Sequence, residues 1–259
     1  MTKNKFMLIN PCIPSAWNYE DDSQCGPCNW PNAKTGKQQS PIDLKLSNMK
    51  VYQLGDCLKF VNYNKPLSGE LINNGHSVQF IPDAKIDMPE IYGGLLDQSY
   101  RFVQYHYHWA QNDNEGSEHT LGGLYYPAEL HLVHQGVEDP SKLAVLGIFL
   151  QMAKDDSALS ADERVFGKIQ NFNQKAEIKN QILDLKLPKN KNSFCRYQGS
   201  LTTPPCTENV LWTVFTDPIS ITKEQLAALR SIKDLHGKVH RKNYRPTQPL
   251  HDRQVLLTC

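Results

Sequence analysis

The stretch FVQYHYHWA, residues 102–110, sets two histidines one residue apart inside an aromatic run. Apolar, aromatic and β-branched residues in such a run predict a strand, along which side chains alternate between faces. His106 and His108 then share a face with Gln104, and Phe102 and Ala110 lie on that face too. Val103, Tyr105, Tyr107 and Trp109 point the other way and form an apolar, buried face. A lone histidine among apolar neighbours reads as a hydrogen-bonded core residue. Two on one face, beside a glutamine able to bond a ring nitrogen, are suited to holding a metal ion.

Zinc that does chemistry takes three protein ligands and keeps one position for solvent. The segment AELHLVH, 128–134, offers the third. As a strand it puts Glu129, His131 and Val133 on one face and Leu130, Leu132 and His134 on the other. Spacing alone leaves both histidines open; the Glu129 carboxylate, placed to orient a ring, favours His131. GSEHTLGG adds Glu118 and His119, and SLTTPPC, 200–206, adds Thr202 and Thr203 ahead of two prolines. A Thr202 hydroxyl that donates to Glu118 is left to accept a hydrogen bond from a metal-bound hydroxide, which turns a lone pair of that hydroxide toward substrate. Taken by itself, TTPP is an ordinary turn.

The elements that must position these groups are mostly strands. Short apolar runs recur between turn signals at 78–81, 102–109, 129–134, 143–152 and 210–215. Two helices are predicted. SADERVFGKIQNF opens on Ser160 and early acids and sets Val165, Ile169 and Phe172 on one face. TKEQLAALRSI opens on a Thr222–Gln225 capping box and sets Leu226, Leu229 and Ile232 inward. Long crossover helices are missing, so the reading is a mainly β, α+β fold: an antiparallel or mixed sheet with peripheral helices, in one domain over 1–259. Residues 1–38 are an irregular segment packed on it. LKLPKNKN (185–192) reads as a lysine-bearing turn and KVHRKNYR (238–245) as a solvated basic face.

Composition narrows the partners. The chain of 259 residues carries 28 basic and 27 acidic side chains, a net charge of +1, which gives no global attraction to nucleic acid or membrane. No run reaches transmembrane length, and FMLI at 6–9 is too short for a secretory core; an exported form would already have lost its leader. Of seven cysteines, Cys25 and Cys28 form CGPC, in a loop with neither a second such pair nor a βαβ pattern, so disulfides fit it better than redox or zinc. Seven is odd, so at least one thiol is free or pairs between chains. Several cysteines in loops suit an extracellular setting, with the cytoplasm second; no N-x-S/T sequon supports export. No H-E-x-x-H favours a metalloprotease.

Several motifs, in order, resemble the α-class carbonic anhydrases: SAWNY (15–19), QSPIDL (39–44), NNGH (73–76), FVQYHYHW, GSEH, AELHLVH, AVLGIFL (144–150), GSLTTPPC, VLWTVF (210–215) and NYRPTQPL (243–250). The resemblance implies zinc on His106, His108 and His131, with Gln104, Glu129 and the carbonyl of Asn243 behind them. It implies Thr202 and Glu118 as the hydroxyl–carboxylate pair and Thr203 lining the site. His76 would be the proton shuttle, with Tyr19, Asn74 and Gln79 along its water path. Val133, Val145, Leu201, Val210 and Trp212 would receive carbon dioxide. The implied fold is a large twisted, mostly antiparallel sheet of about ten strands, with cis peptides before Pro41 and Pro205. The implied reaction is reversible hydration of carbon dioxide to bicarbonate and a proton, by attack of zinc-bound hydroxide. Sulfonamides and small anions would inhibit at the zinc, and the protein would be a monomer, or a dimer through an unpaired cysteine. Cys206 resembles the secreted and membrane-attached branch, where it is disulfide-bonded near the N-terminal loop; Cys28 is the nearest partner and Cys25 the next. Relatives that have lost zinc ligands serve as acatalytic binding proteins, but here every ligand position is kept.

Overall fold

A computed structural model describes residues 17–53, 55–83, 87–155 and 157–258. Cys12, Cys259, the FMLI run and the start of SAWNY lie outside the described residues. The first strands are β1 (Asp43–Leu44), β2 (Met49–Tyr52), β3 (Lys59–Val61), β4 (Leu67–Asn73), β5 (Val78–Pro82), β6 (Glu90–Tyr92), β7 (Tyr100–Trp109) and β8 (Thr120–Leu121). Then follow β9 (Ala128–Gly136), β10 (Leu143–Met152), β11 (Lys175–Gln181), β12 (Phe194–Gly199), β13 (Val210–Phe215), β14 (Ile219–Ile221) and β15 (Val255–Thr258). The helices are α1 (Ser160–Phe166) and α2 (Lys223–Arg230).

Thirteen strands join in one sheet, whose main path runs β11-β4-β5-β7-β9-β10-β13-β12-β15-β2. Most neighbours on it are antiparallel; β10–β13, β10–β14 and β15–β2 are parallel, so the sheet is mixed. The long central strands β9 and β10 are buried on both faces over most of their length, as is the end of β7 from Tyr107, which explains the near-continuous apolar sequence of β10. Alternation sorts their side chains into two cores. Tyr105, Tyr107, Trp109, Leu130, Leu132, Ala144, Leu146 and Ile148 pack behind the sheet. Val133, Val145, Phe149, Tyr197, Trp212 and Val214 pack in front. Both expected cis bonds, Ser40–Pro41 and Pro204–Pro205, are present.

The expected alternation of 102–110 breaks at one point. The β7–β9 register shifts between Phe102 and Gln104. That bulge turns Phe102 into the rear core and leaves Val103 42% exposed, the reverse of what uniform alternation predicts. From Gln104 onward the pattern holds.

Helix α2 begins with the expected capping box: Thr222 accepts from the Gln225 N–H, and the Gln225 side chain accepts from the Thr222 N–H. Helix α1 is shorter than expected. It stops at Phe166, before Gly167, a poor helix former, and Phe172 is half exposed rather than on a buried face. Its N-cap is Leu159 without a side-chain bond, so Ser160 does not cap it. The lysine-bearing turn is also not all solvated. Lys186 is fully buried and its Nζ lies 2.6 Å from Asp162 of α1, 3.0 Å from the Tyr107 hydroxyl and 3.0 Å from the Ala158 carbonyl. Likewise the basic stretch at 238–245 is not a solvated face throughout, because His240, Asn243, Tyr244 and Arg245 are buried.

The expected disulfides to Cys206 do not form. Cys206 is a buried free thiol packed with Tyr19 and Trp30, and Cys28 is an exposed free thiol. Cys25 is a bonded half-cystine whose partner is not among the described cysteines, so it is not available to Cys206. Cys206 here serves as a small core side chain.

Candidate metal centre

Strands β7 and β9 pair His106 opposite His131 and His108 opposite Glu129. Directly opposed side chains share a face, so the ladder itself brings the three imidazoles together. Their ring centroids lie 4.9 Å (His106–His108), 5.3 Å (His106–His131) and 4.5 Å (His108–His131) apart. One nitrogen of each ring is engaged from behind. His106 Nδ1 is 2.9 Å from Gln104 Oε1, His108 Nδ1 2.7 Å from the Asn243 carbonyl, and His131 Nε2 2.7 Å from Glu129 Oε1. The remaining nitrogens converge within 4.8 Å of one another, and His108 Nε2 is buried with no hydrogen-bond partner. Such an orphaned acceptor among neutral rings fits a metal ion. Burial lowers the pKa of all three histidines, that of His108 to about 3, so each is the neutral base a metal requires. His134 lies on the opposite face, bonded to the Tyr63 hydroxyl and the Ala144 carbonyl, and takes no part.

A second cluster, His119, Glu129 and His131, is spent on itself. Glu129 Oε1 takes the His119 and His131 rings at 2.7 Å each, and Oε2 accepts the backbone N–H of Glu118 and of His119 at 2.8 Å each. His119 Nε2 meets the Tyr197 hydroxyl at 2.6 Å. Burial raises the Glu129 carboxyl, but the two histidines outweigh it and hold the group well below the carboxylate range. Gly147, opposite His131 on β10, leaves room for this carboxylate; a Cβ there would sit 3.0 Å from Oε1.

Glu118 is fully buried, accepts the Arg245 N–H at 2.8 Å, and has Oε1 3.5 Å from His108 and Oε2 3.8 Å from His131. Burial raises its pKa well above the usual range, against the Arg245 N–H and the Thr202 hydroxyl. Thr202 is thus a neighbour of Glu118, though Oε2 closes no hydrogen bond of strict geometry. The loop that carries Thr202 is pinned at both ends. Ser200 and Ser40 exchange hydrogen bonds, and the Trp212 indole donates to the Ser200 carbonyl at 3.0 Å. Leu201 N–H bonds the Thr207 carbonyl, and Cys206 N–H bonds the carbonyl of half-buried Thr203.

Beside the histidines lies an apolar wall. Val133 pairs with Val145 and Val145 with Trp212, while Val210 and half-buried Leu201 join the same cluster. The Trp212 ring is 4.8 Å from the His131 ring. Three neutral imidazoles able to hold a metal thus stand beside a buried carboxylate, its threonine neighbour and an adjoining apolar wall. A model of the eukaryotic-type carbonic anhydrases matches residues 17–259.

The chain belongs to the eukaryotic-type carbonic anhydrase family. It is 57% identical over 240 residues to "Putative carbonic anhydrase 3" of Caenorhabditis elegans, covering 93% of this chain and 96% of that one. It is 33% identical to carbonic anhydrase 4 of Rattus norvegicus over 93% of this chain and 84% of that protein. With carbonic anhydrase 7 of Homo sapiens it shares 34% identity over 92% and 96%.

In this carbonic anhydrase domain the polar residues form a separate wall. Gln79 pairs with His106 across β5–β7 and accepts from Asn74 Nδ2 at 3.1 Å. Asn74 Oδ1 accepts the His76 N–H, and Asn243 Nδ2 donates to the His76 carbonyl. The His76 ring stacks on Trp17, centroids 3.7 Å apart, and borders a cleft of about 720 Å³ with Tyr19, Asp234 and His240. Burial, then His240, draws its pKa down to about 4. Tyr19 is buried, which raises its phenol well above the usual range. Trp17, Ser40, Arg245 and the bridging role of His119 escaped the sequence reading. The one signal for Trp17 was its place in SAWNY, two residues before Tyr19, while the partners of Ser40, Arg245 and His119 are distant in sequence. Among the described residues no helix is long and apolar enough to cross a membrane.

Proposed function

We propose that this protein catalyses the reversible hydration of carbon dioxide to bicarbonate and a proton, with one zinc ion held by His106, His108 and His131. The observation that carries the reading is the convergence of three ring nitrogens, each ring fixed from behind, next to Glu118, Thr202 and an apolar wall. When bound, zinc supplies a Lewis acid that makes water a nucleophile near neutral pH; carbonic anhydrase is the standing example of that principle. The protein's own groups do the rest. Gln104, the Asn243 carbonyl and Glu129 hold the rings in the tautomer that presents a lone pair. Thr202, donating to Glu118, is left as a hydrogen-bond acceptor toward the nucleophile and so orients it. Val133, Val145, Leu201, Val210 and Trp212 offer carbon dioxide, which has no net charge, a dry surface beside it. Thr203 lines the site, and Asn74, Gln79 and Tyr19 support the water path to His76, the proton acceptor.

Stopped-flow hydration of carbon dioxide tests this, on the zinc-loaded protein and after zinc removal. Activity that vanishes with the metal and returns on its addition is expected, with His106→Ala losing zinc and activity together. Full zinc occupancy without hydration would instead make this an acatalytic binding member of the family. Sulfonamides and small anions are expected to compete at the metal's open position.

A further inference from the structure

Behind the sheet lies a positive charge that no side chain meets with a hydrogen bond. Arg196 on β12 is 3% exposed, and its Nε, Nη1 and Nη2 are all buried without a hydrogen-bond partner. The Phe194 ring lies against the guanidinium, 5.2 Å from Cζ to the centroid. Across the ladder, Arg196 pairs with Thr213 of β13, whose fully buried Oγ1 also has no partner. Directly opposed residues share a face with Cβ atoms about 5 Å apart. The ladder therefore puts a fan of guanidinium N–H donors and one hydroxyl on the same buried face of the sheet, and no acceptor of the described residues bonds either.

The nearby carboxylate does not fill this role. Tyr100 and Asp97 are close enough to act on Arg196 electrostatically, yet the Tyr100 hydroxyl donates to Asp97 Oδ1 at 2.6 Å and Asp97 Oδ2 accepts Lys142 Nζ at 2.7 Å. Arg196, Lys142 and Asp97 together leave one positive charge over. Burial draws Arg196 down only to about 10, so it stays cationic at neutral pH. A buried cation without a counter-ion is strongly unfavourable, and arginine does not escape by losing its proton. The partner it calls for accepts hydrogen bonds, carries one negative charge and is small.

We propose that Arg196 and Thr213 form a buried site for one small monovalent inorganic anion, a halide or bicarbonate. The site is distinct from the metal centre. Arg196 and Thr213 alternate along their strands with Cys195, Tyr197, Trp212 and Val214, which pack in the front core beside the histidines. It does not depend on the proposed reaction and holds even if the protein binds zinc without turnover.

Two measurements decide it. Crystals of the zinc-loaded protein grown with bromide in place of chloride are expected to show an anomalous peak within hydrogen-bonding reach of Arg196 and Thr213 Oγ1. Crystals grown in bicarbonate without halide separate the two sources: planar density there assigns bicarbonate, and a site filled only in bromide assigns a halide. Water alone at Arg196 in both crystals overturns the proposal. In solution, the thermal midpoint of wild type is expected to rise with chloride at ionic strength held constant with gluconate. Arg196→Met should abolish the part of that response not due to the metal, and the milder Thr213→Val should weaken halide binding about tenfold, the loss of one hydrogen bond to a charged group. Responses to chloride and to bicarbonate that are both identical in wild type and the two variants also overturn it.

Discussion

Glu129→Gln is the sharpest probe of the metal centre, because the carboxylate it replaces makes four short hydrogen bonds at zero exposure. All four partners approach as donors: two ring N–H groups at Oε1 and two backbone N–H groups at Oε2. A carboxylate accepts at both oxygens; an amide accepts at one and donates at the other. Whichever way the introduced amide is turned, two buried donors face an NH₂ group. Each buried donor left unpaired costs about 1–3 kcal/mol, so the loss of stability is about 2–6 kcal/mol. The ring of His131 also loses its orienting charge, which lowers zinc affinity about 10- to 100-fold. Urea unfolding of the metal-free wild type and variant reads the first quantity, and zinc titration against a competing chelator reads the second. A variant within about 0.5 kcal/mol of wild type, the range of a surface change, that also binds zinc equally well would refute the reasoning.

Lys186→Met strands Asp162 as an unpaired buried carboxylate and is expected to cost about 3–5 kcal/mol, or roughly 10 °C in Tm of the zinc-loaded protein; adding Asp162→Leu should recover part of it, and a loss under 1 kcal/mol contradicts the ion pair. His134 is buried neutral with its pKa drawn by burial down to about 3. The unfolded chain binds this proton near pH 6.5 and the folded one does not, so stability is full above pH 6.5 and falls as pH drops toward 3. The slope is at most about 1.4 kcal/mol per pH unit, and His134→Gln should flatten it in urea titrations across that window. Trp17→Ala uncovers the His76 ring, so its pKa, followed by NMR, should climb from about 4 toward the ordinary value, while an unmoved titration means the stack does not set it. His76→Ala should slow turnover in weak buffer and be rescued by small imidazole buffers; equal loss at every buffer concentration argues against a shuttle.

The candidate metal centre was legible because it is built on strands, where period and register are set by a few residues. HYH puts two rings on one face by alternation alone, and ELH adds a carboxylate beside the third. Their meeting across β7–β9 is a register, which single-strand patterns do not contain; the family resemblance supplied it, and the ladder from His106–His131 to His108–Glu129 is its physical form. The bulge between Phe102 and Gln104 escaped for the same reason: one extra residue on one strand is defined only against its partner. The disulfides to Cys206 failed on a different ground. Pairing needs Cα atoms close in space and thiols not otherwise engaged, and spacing along the chain reports neither. With Cys28, Cys57, Cys195 and Cys206 free, cysteine pairing no longer argues strongly for an extracellular setting.

Charge reads least well of all from sequence. Arg196, Arg245 and Lys186 look like surface cations in FCRYQG, NYRPT and LKLP, yet all are buried. Two are answered within the chain. Arg245 Nη1 donates to Gln39 and to the Ser40 carbonyl, though its Nε and Nη2 have no partner, and Lys186 pairs with Asp162 behind the strand that carries His106 and His108. Both residues brace the surroundings of the three clustered histidines, Arg245 by its main-chain N–H to Glu118 and Lys186 by its ammonium to Tyr107. Arg196 sits on β12, two strands beyond β10, and braces nothing by hydrogen bonds. A fold keeps a buried cation only where something compensates its lost hydration. For Lys186 that compensation is a carboxylate and for Arg245 two hydrogen bonds at Nη1, whereas Arg196 has neither, and the contrast is why it directs attention to an anion.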